Sequence, residues 1–207
     1  MTTHPLQIHS PQAAADKTPA AAQAAYDQAL IARVAAGDKL AMRALFARHH
    51  VRVYRFALRL VRDQELAEDL ISEVFLEVWR HAGKFQARSA VSTWLLAIAR
   101  FKAFSAMRKQ GDEQLDDETA AALADTGDDP EAAIGKKQQG EILRNCLARL
   151  SPDHREIIDL VYYQGMTIGA VAEVVGIPEN TVKTRMFHAR KHLSVLLGAS
   201  GVQRSWP

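Results

Sequence analysis

Residues 26–109 carry apolar side chains at helical spacing, almost uninterrupted by breakers. Cap and stop signals cut this stretch into four helices. The first spans about 26–36 and ends at Gly37. The second, about 39–61, follows a capping Asp38 and holds Leu45, Phe46, Val53, Phe56 and Leu60. The third, about 64–81, follows Asp63 and stops before Gly83. A loop over 84–89 leads into the fourth, about 90–109, where Val91, Trp94, Leu95, Ile98 and Phe101 predict one apolar stripe. Residues 136–198 form a second periodic unit, with helices predicted at about 137–149, 153–163, 167–175 and 179–197. Ser151 followed by Pro152 is an N-cap with proline at the first helical position. The pattern predicts an all-α chain of two small helical domains.

The intervening residues 110–135 are rich in Asp, Ala and Gly and include Pro130, a composition that cannot bury enough apolar surface to fold alone. They are expected to form a flexible linker. Residues 1–25 and 199–207 are read as tails. The linker also resolves an uninformative net charge of +2. It holds nine acids and no base, which leaves 26 bases against 15 acids elsewhere. A basic body with an acidic insert points to a polyanionic partner.

Cys146, the single cysteine, lies at helical spacing with Leu143, Leu147 and Leu150 and is expected to be a buried, inert thiol. No run approaches the roughly 18 apolar residues of a membrane span. The first 26 residues lack the basic start and solid apolar core of a signal peptide. A reducing, cytoplasmic setting without membrane insertion is expected.

Residues 167–191 are the most informative stretch. They read as a helix, a turn at Gly176, and a second helix beginning beside Pro178. Ala172 is small where two helices must cross, and Val171, Val175, Ile177 and Val182 fall at buried positions. The second helix carries Lys183, Arg185, Arg190 and Lys191 against one acid, Glu179. A helix-turn-helix whose second helix is polar and basic suits insertion into a DNA major groove.

Other clusters admit two readings. Helix three repeats acids at Glu65, Asp69, Glu73 and Glu77, with Glu68 beside them. Like charges at i,i+4 cost a few tenths of a kcal/mol per pair. Either a basic partner offsets that cost, or the face is simply solvated over a core stripe of Leu70, Val74, Phe75 and Trp79. On helix four, Phe104 sits between Arg100 and Arg108, off the predicted stripe. It either stacks a base while the guanidinium groups meet phosphate, or packs on helix one or two. Lys102 and Lys109 add charge near the same end, and Trp94 is expected in the core. The loop residues Arg88 and Ser89, with the N–H groups of the following helix start, could hold a phosphate or an extruded base. His188 and His192 have metal spacing but no accompanying carboxylate or cysteine, so they are read as DNA-facing or solvated. No nucleophile–base arrangement, phosphate loop or dinucleotide fingerprint is present. Neither catalysis nor a cofactor is expected.

Four ordered stretches now combine: AGDKLAMRALFARHH, AEDLISEVFLEVWR, STWLLAIAR, and the segment from LARLSPDHREIIDL to HARKHL. Over about residues 27–197 the chain resembles the extracytoplasmic-function group of bacterial RNA polymerase sigma factors. The resemblance implies a region two domain over 26–109 and a region four domain over 136–198. It implies docking of the third helix on core RNA polymerase, through Asp69, Leu70, Glu73 and Phe75, with Glu77 in the same acidic row. Arg88, Ser89, Arg100, Phe104 and Arg108 are the expected contacts to the minus-ten promoter element. Asn180, Thr181, Lys183, Thr184, Arg185, His188 and Arg190 are the expected contacts to the minus-thirty-five element. The linker would follow the polymerase's basic RNA path.

The expected function is promoter recognition, promoter opening and transcription initiation, with core polymerase and promoter DNA as partners and an anti-sigma factor as a further one. The alternative is a free-standing helix-turn-helix regulator. Two positions depart from the family pattern. Ser72 stands where many relatives have Gln, and Phe101 where many have Asn. With Phe101 assigned to the apolar stripe, a polar DNA contact there is not expected.

Overall fold

The computed structural model describes residues 19–113 and 133–200, with side chains over 21–110 and 140–200. All regular elements among the described residues are helical. They are α1 (Pro19–Ala35), α2 (Lys39–Val61), α3 (Gln64–His81), α4 (Val91–Glu113), α5 (Ala133–Ala148), α6 (Pro152–Ile158), α7 (Ile168–Val175) and α8 (Glu179–Ala199). A 3₁₀ turn, Ala82–Lys84, follows α3, and a π-helical turn, Asp159–Tyr163, continues α6.

Local chemistry sets most of these boundaries. The Asp38 carboxylate accepts from the N–H groups of Leu40 and Ala41 at 2.8 and 3.1 Å and so starts α2. Those bonds, with the Arg33 guanidinium, hold Asp38 below the usual carboxylate range. Asp63 accepts from Leu66 N–H at 3.0 Å and starts α3. Ser151 caps α6 and Thr167 caps α7. Gly176 ends α7 at φ +74°, a left-handed conformation that glycine adopts without steric cost, and its N–H donates to Ala172 O at 2.8 Å.

Three boundaries differ from expectation. α1 starts at Pro19, because the alanine-rich run after that proline is a strong helix former. α4 continues to Glu113 and α5 starts at Ala133, so helix enters both ends of the stretch read as a linker. Residues 114–132 lie outside the described residues, as do 1–18 and 201–207. The expected single helix over 153–163 widens into the π turn, where Gln164 N–H reaches Asp159 O at 2.9 Å.

Helices α1–α4 close on Leu30, Val34, Leu45, Phe56, Leu60, Val74 and Leu96. Helices α5–α8 close on Cys146, Leu150, Ile157, Leu160, Val171, Val182 and Ala189. The two units pack together, α4 against α7 and α2 against α6. Most of the predicted α4 stripe turns inward: Val91 and Leu95 are buried, and Trp94 and Ile98 pack partly buried against the core. Thr93, Leu96, Ala99 and Ala103 are buried with Val91 and Leu95, and Phe101 alone of the stripe turns outward, 65% exposed. Ala99 and Ala103 carry little weight in a search for large apolar side chains, yet small residues are what let helices approach closely. Phe101 lies nearly opposite that row and faces outward.

Candidate nucleic-acid interface

Helix α8 divides along its length. Val182, Met186, Ala189, Leu193 and Leu196 turn inward and seat the helix on α6 and α7. Asn180, Lys183, Thr184, Phe187, His188, Arg190 and Lys191 are exposed. Thr184 Oγ1 donates to Asn180 O at 3.0 Å, leaving the hydroxyl oxygen outward as an acceptor. Thr181 and Arg185 sit on the flank, half-buried. Arg185 is held there by Asp153 at 3.1 Å, so it is less free than Lys183. His188 and His192 meet His154 of α6 around a small cleft. Burial, with positive charge from His192, lowers the His154 pKa. Among the described residues no trio of His, Cys, Asp or Glu is arranged to hold a metal.

The second candidate surface runs from the loop over 85–89 onto α4. Arg88 is exposed and Ser89 half-buried. Ala87 stands at φ +53°, a left-handed conformation that costs a non-glycine residue roughly 1–2 kcal/mol and must be imposed by its surroundings. Phe85 leans on Trp94 with ring centroids 5.2 Å apart, which pins the loop to the start of α4. Trp94 is half-buried against the core, as its sequence position suggested. Phe104 is also half-buried, with the Arg100 guanidinium 4.7 Å from its ring centroid. Arg108 and Lys109 are exposed. Lys102 does not join them. Its ammonium lies 3.2 Å from Glu73 and 3.9 Å from Glu77, on the side of α3.

On α3 the acidic row separates from the apolar one. Glu65, Glu68, Asp69 and Glu73 are exposed, and Glu77 is partly covered and 3.1 Å from His81. Leu70 and Phe75 are 2% and 4% exposed and belong to the bundle core. In this arrangement both lie beneath the exposed acids. Phe75 packs edge-on against Phe46, 4.8 Å away, and Phe46 stacks on His50. The exposed apolar residue on this helix is Leu76, which sequence reasoning passed over because it lies off the predicted stripe.

Sequence reasoning also missed the junction between the two units. Glu156, fully buried, accepts from Arg100 Nε at 2.5 Å through Oε1. Its Oε2 has no hydrogen-bond partner among the described residues. Burial pushes this carboxyl up to about 7 despite the nearby guanidinium. Asp159, 2% exposed, accepts from Arg59 at 2.6 Å and from Gln164 at 3.1 Å. Burial raises its pKa as well. Arg52 clamps Gln164 through the side-chain and backbone oxygens at 2.8 and 2.7 Å. Arg155 donates to the carbonyls of Ala148 and Leu150 in its own unit, and to those of Arg59 and Leu60 across the junction. Burial lowers the Arg155 pKa to about 10. In one sequence, an acid on a helix gives no sign of whether it faces water or another domain, so this network had no local signature.

A four-helix unit with one acidic and one cationic-aromatic face, packed on a helix-turn-helix unit, is the architecture of a nucleic-acid-binding protein. Comparison with known proteins gives the family. Sigma-70 region 2 matches residues 45–113, and Sigma-70, region 4 matches 140–193. The chain is 32% identical over 181 residues to the ECF RNA polymerase sigma factor SigL of Mycobacterium tuberculosis, covering 85% of this chain and 99% of SigL. It is 32% identical over 176 residues to the ECF RNA polymerase sigma factor SigK of Mycobacterium bovis, covering 83% of this chain and 94% of SigK. The sigma factor RpoE of Bartonella quintana, solved in complex with the anti-sigma factor NepR, superposes with a TM-score of 0.63 at 26% identity, over 78% of this chain and 98% of that one. CnrH, solved with the cytosolic domain of CnrY, shares the fold at a TM-score of 0.63 and 24% identity, over 84% and 98% of the two chains.

The chain belongs to the ECF group of RNA polymerase sigma factors. It binds core RNA polymerase and directs promoter recognition, promoter opening and transcription initiation, in place of the free-standing regulator considered above. Sigma factors are not an enzyme class. No helix among the described residues is long and apolar enough to cross a membrane.

Proposed function

We propose that the α1–α4 unit docks on core polymerase through the exposed acids Glu65, Glu68, Asp69 and Glu73, with Leu76 as the apolar contact. Leu70 and Phe75 support that face from beneath. The minus-thirty-five element is read as duplex by Asn180, Lys183, Thr184, His188 and Arg190. Thr181 and Arg185 reach the flanking backbone. Arg88, Ser89, Arg100, Phe104 and Arg108 engage the opened minus-ten strand. The acids of 110–135 repel DNA and keep that segment on the polymerase side. The protein acts in the cytoplasm, where its template is. An anti-sigma factor holds it in check, a reading supported by the similarity to RpoE, which was solved with one.

The observation that carries this reading is the exposed polar face of α8 beside the Gly176 turn. A second feature sets the order of events. Arg100 is occupied by Glu156, so the two units must part before Arg100 can meet a phosphate. The test is Lys183→Ala combined with Thr184→Ala, assayed by promoter binding of the reconstituted holoenzyme across a salt series. Affinity for a two-element promoter should fall and the salt slope should drop by about one, since one cation in the DNA interface is lost. Core association should be unchanged. An unaltered salt slope and affinity would remove α8 from the DNA interface.

A further inference from the structure

The helix-turn-helix unit carries an apolar groove between α5 and α8, bounded by the π turn and the start of α7, with a volume of about 890 Å³. Ile158, Met186 and Leu193 form its buried floor, and Leu143, Leu147 and Ile168 pack around them. Phe187 and Val195 border it at 63% and 64% exposure, a cluster of apolar surface that marks a binding site more often than idle surface. Lys183, Arg190 and Lys191 stand exposed on the α8 rim, and no carboxylate lines the groove. Unlike Arg185, none of the three forms an ion pair among the described residues. The groove therefore joins a hydrocarbon floor to an edge of uncompensated positive charge.

We propose that this groove binds a long-chain carboxylate, with its acyl chain on the floor and its head on Arg190, and that the bound ligand excludes promoter DNA from α8. The exclusion rests on the reading of α8 as the minus-thirty-five surface. Small-ligand sites run to roughly 300–1,000 Å³, mostly apolar with a few polar groups that fix orientation. The rim is positive throughout, so the ligand's polar end is an anion. A guanidinium grips a carboxylate through two parallel hydrogen bonds, and Lys183, on nearly the same side of α8, adds charge. The floor residues offer no strong hydrogen-bonding group, so the rest of the ligand is hydrocarbon. From Lys183 to Val195 the helix rises about 18 Å, room for an extended acyl chain. A carboxylate on Arg190 occupies a cation that would otherwise meet DNA.

The test titrates dodecanoate, kept below its micelle-forming concentration, into the full chain by calorimetry. One equivalent should bind saturably. Dodecanol, which keeps the chain and lacks the charge, should bind about tenfold more weakly. Arg190→Ala should weaken dodecanoate by a similar factor, and Ser194→Trp, which fills the groove from its exposed lip, should block it. A thermal melt checks each variant, and the surface change Arg190→Ala decides the matter if Ser194→Trp does not fold. Chain saturated with dodecanoate and then given core should bind promoter DNA several-fold more weakly, whereas acetate at the same concentration should have no effect. Absence of saturable binding, or many equivalents per chain, would overturn the site and leave the groove to a protein partner. So would native affinity in Arg190→Ala together with equal binding of dodecanol. If Arg190→Ala weakens promoter binding while dodecanoate does not, the exclusion is wrong and the α8 reading stands. If neither affects the promoter, the α8 reading itself fails and the exclusion with it.

Discussion

Single residues divide into those whose role follows from local chemistry and those whose role depends on what packs against them. The caps are of the first kind. Asp38, Asp63 and Ser151 sit where the chain alone predicts, because each satisfies N–H groups within three residues of itself. Asp63→Ala should therefore destabilise the α1–α4 unit by about 1 kcal/mol. A thermal melt should fall by roughly 4–8 °C, the sensitivity of a domain of this size. An unchanged melting temperature would mean that α3 is held entirely by its packing. Phe101, Leu70 and Phe75 are of the second kind. Their sequence spacing places all three near an apolar stripe, but only contact with neighbouring helices decides which turn inward. Phe101 lies nearly opposite the buried Leu95, Leu96, Ala99 and Ala103 on α4 and so faces outward.

Elements were easier to read than faces. The end of α1 and the starts of α2 and α3 follow from Gly37, Asp38 and Asp63, the end of α3 from Gly83, and the helix-turn-helix from Gly176. The π turn over Asp159–Tyr163 was not legible, and its first residue, Asp159, accepts from Arg59 of the other unit, a contact no local pattern announces. The acidic face of α3 offers an element-scale test. Asp69→Lys with Glu73→Lys should abolish association with core polymerase, measured by co-elution. Lys102, now opposite a lysine, adds a small repulsion to the fold, which a melt of the free protein measures separately. Retained co-elution would leave the acidic row as a solvated surface.

At the scale of the whole molecule, the buried acids make the closed arrangement sensitive to pH. Where separation of the units hydrates Glu156, its carboxyl returns toward its ordinary value of 4.5, against about 7 when closed. The closed form therefore holds the proton more tightly. Closure is strongest below about 4.5 and weakens as pH rises through about 7. Asp159, also raised by burial, pushes in the same direction. The groups around Glu156 are Arg100 from α4, Asp153 from α6 and Arg185 from α8. The lowered His154 answers first to burial and then to His192 of its own unit. Energy transfer between dyes on the two units should report more closed molecules at pH 6 than at pH 8. Glu156→Gln, which cannot ionise, should flatten that dependence. A native-like pH response in Glu156→Gln would place the sensor elsewhere.

The closed form commits Arg100 to Glu156, so in the proposed function the two units must separate for Arg100 to reach DNA. The most direct test of the whole account is promoter binding by the full chain with and without core polymerase, measured by mobility shift at one salt concentration. The chain alone should bind promoter DNA weakly, and adding core should produce a tight, promoter-specific complex that supports run-off transcription. Tight, specific binding by the chain alone, unaffected by core, would contradict the account and describe a free-standing regulator.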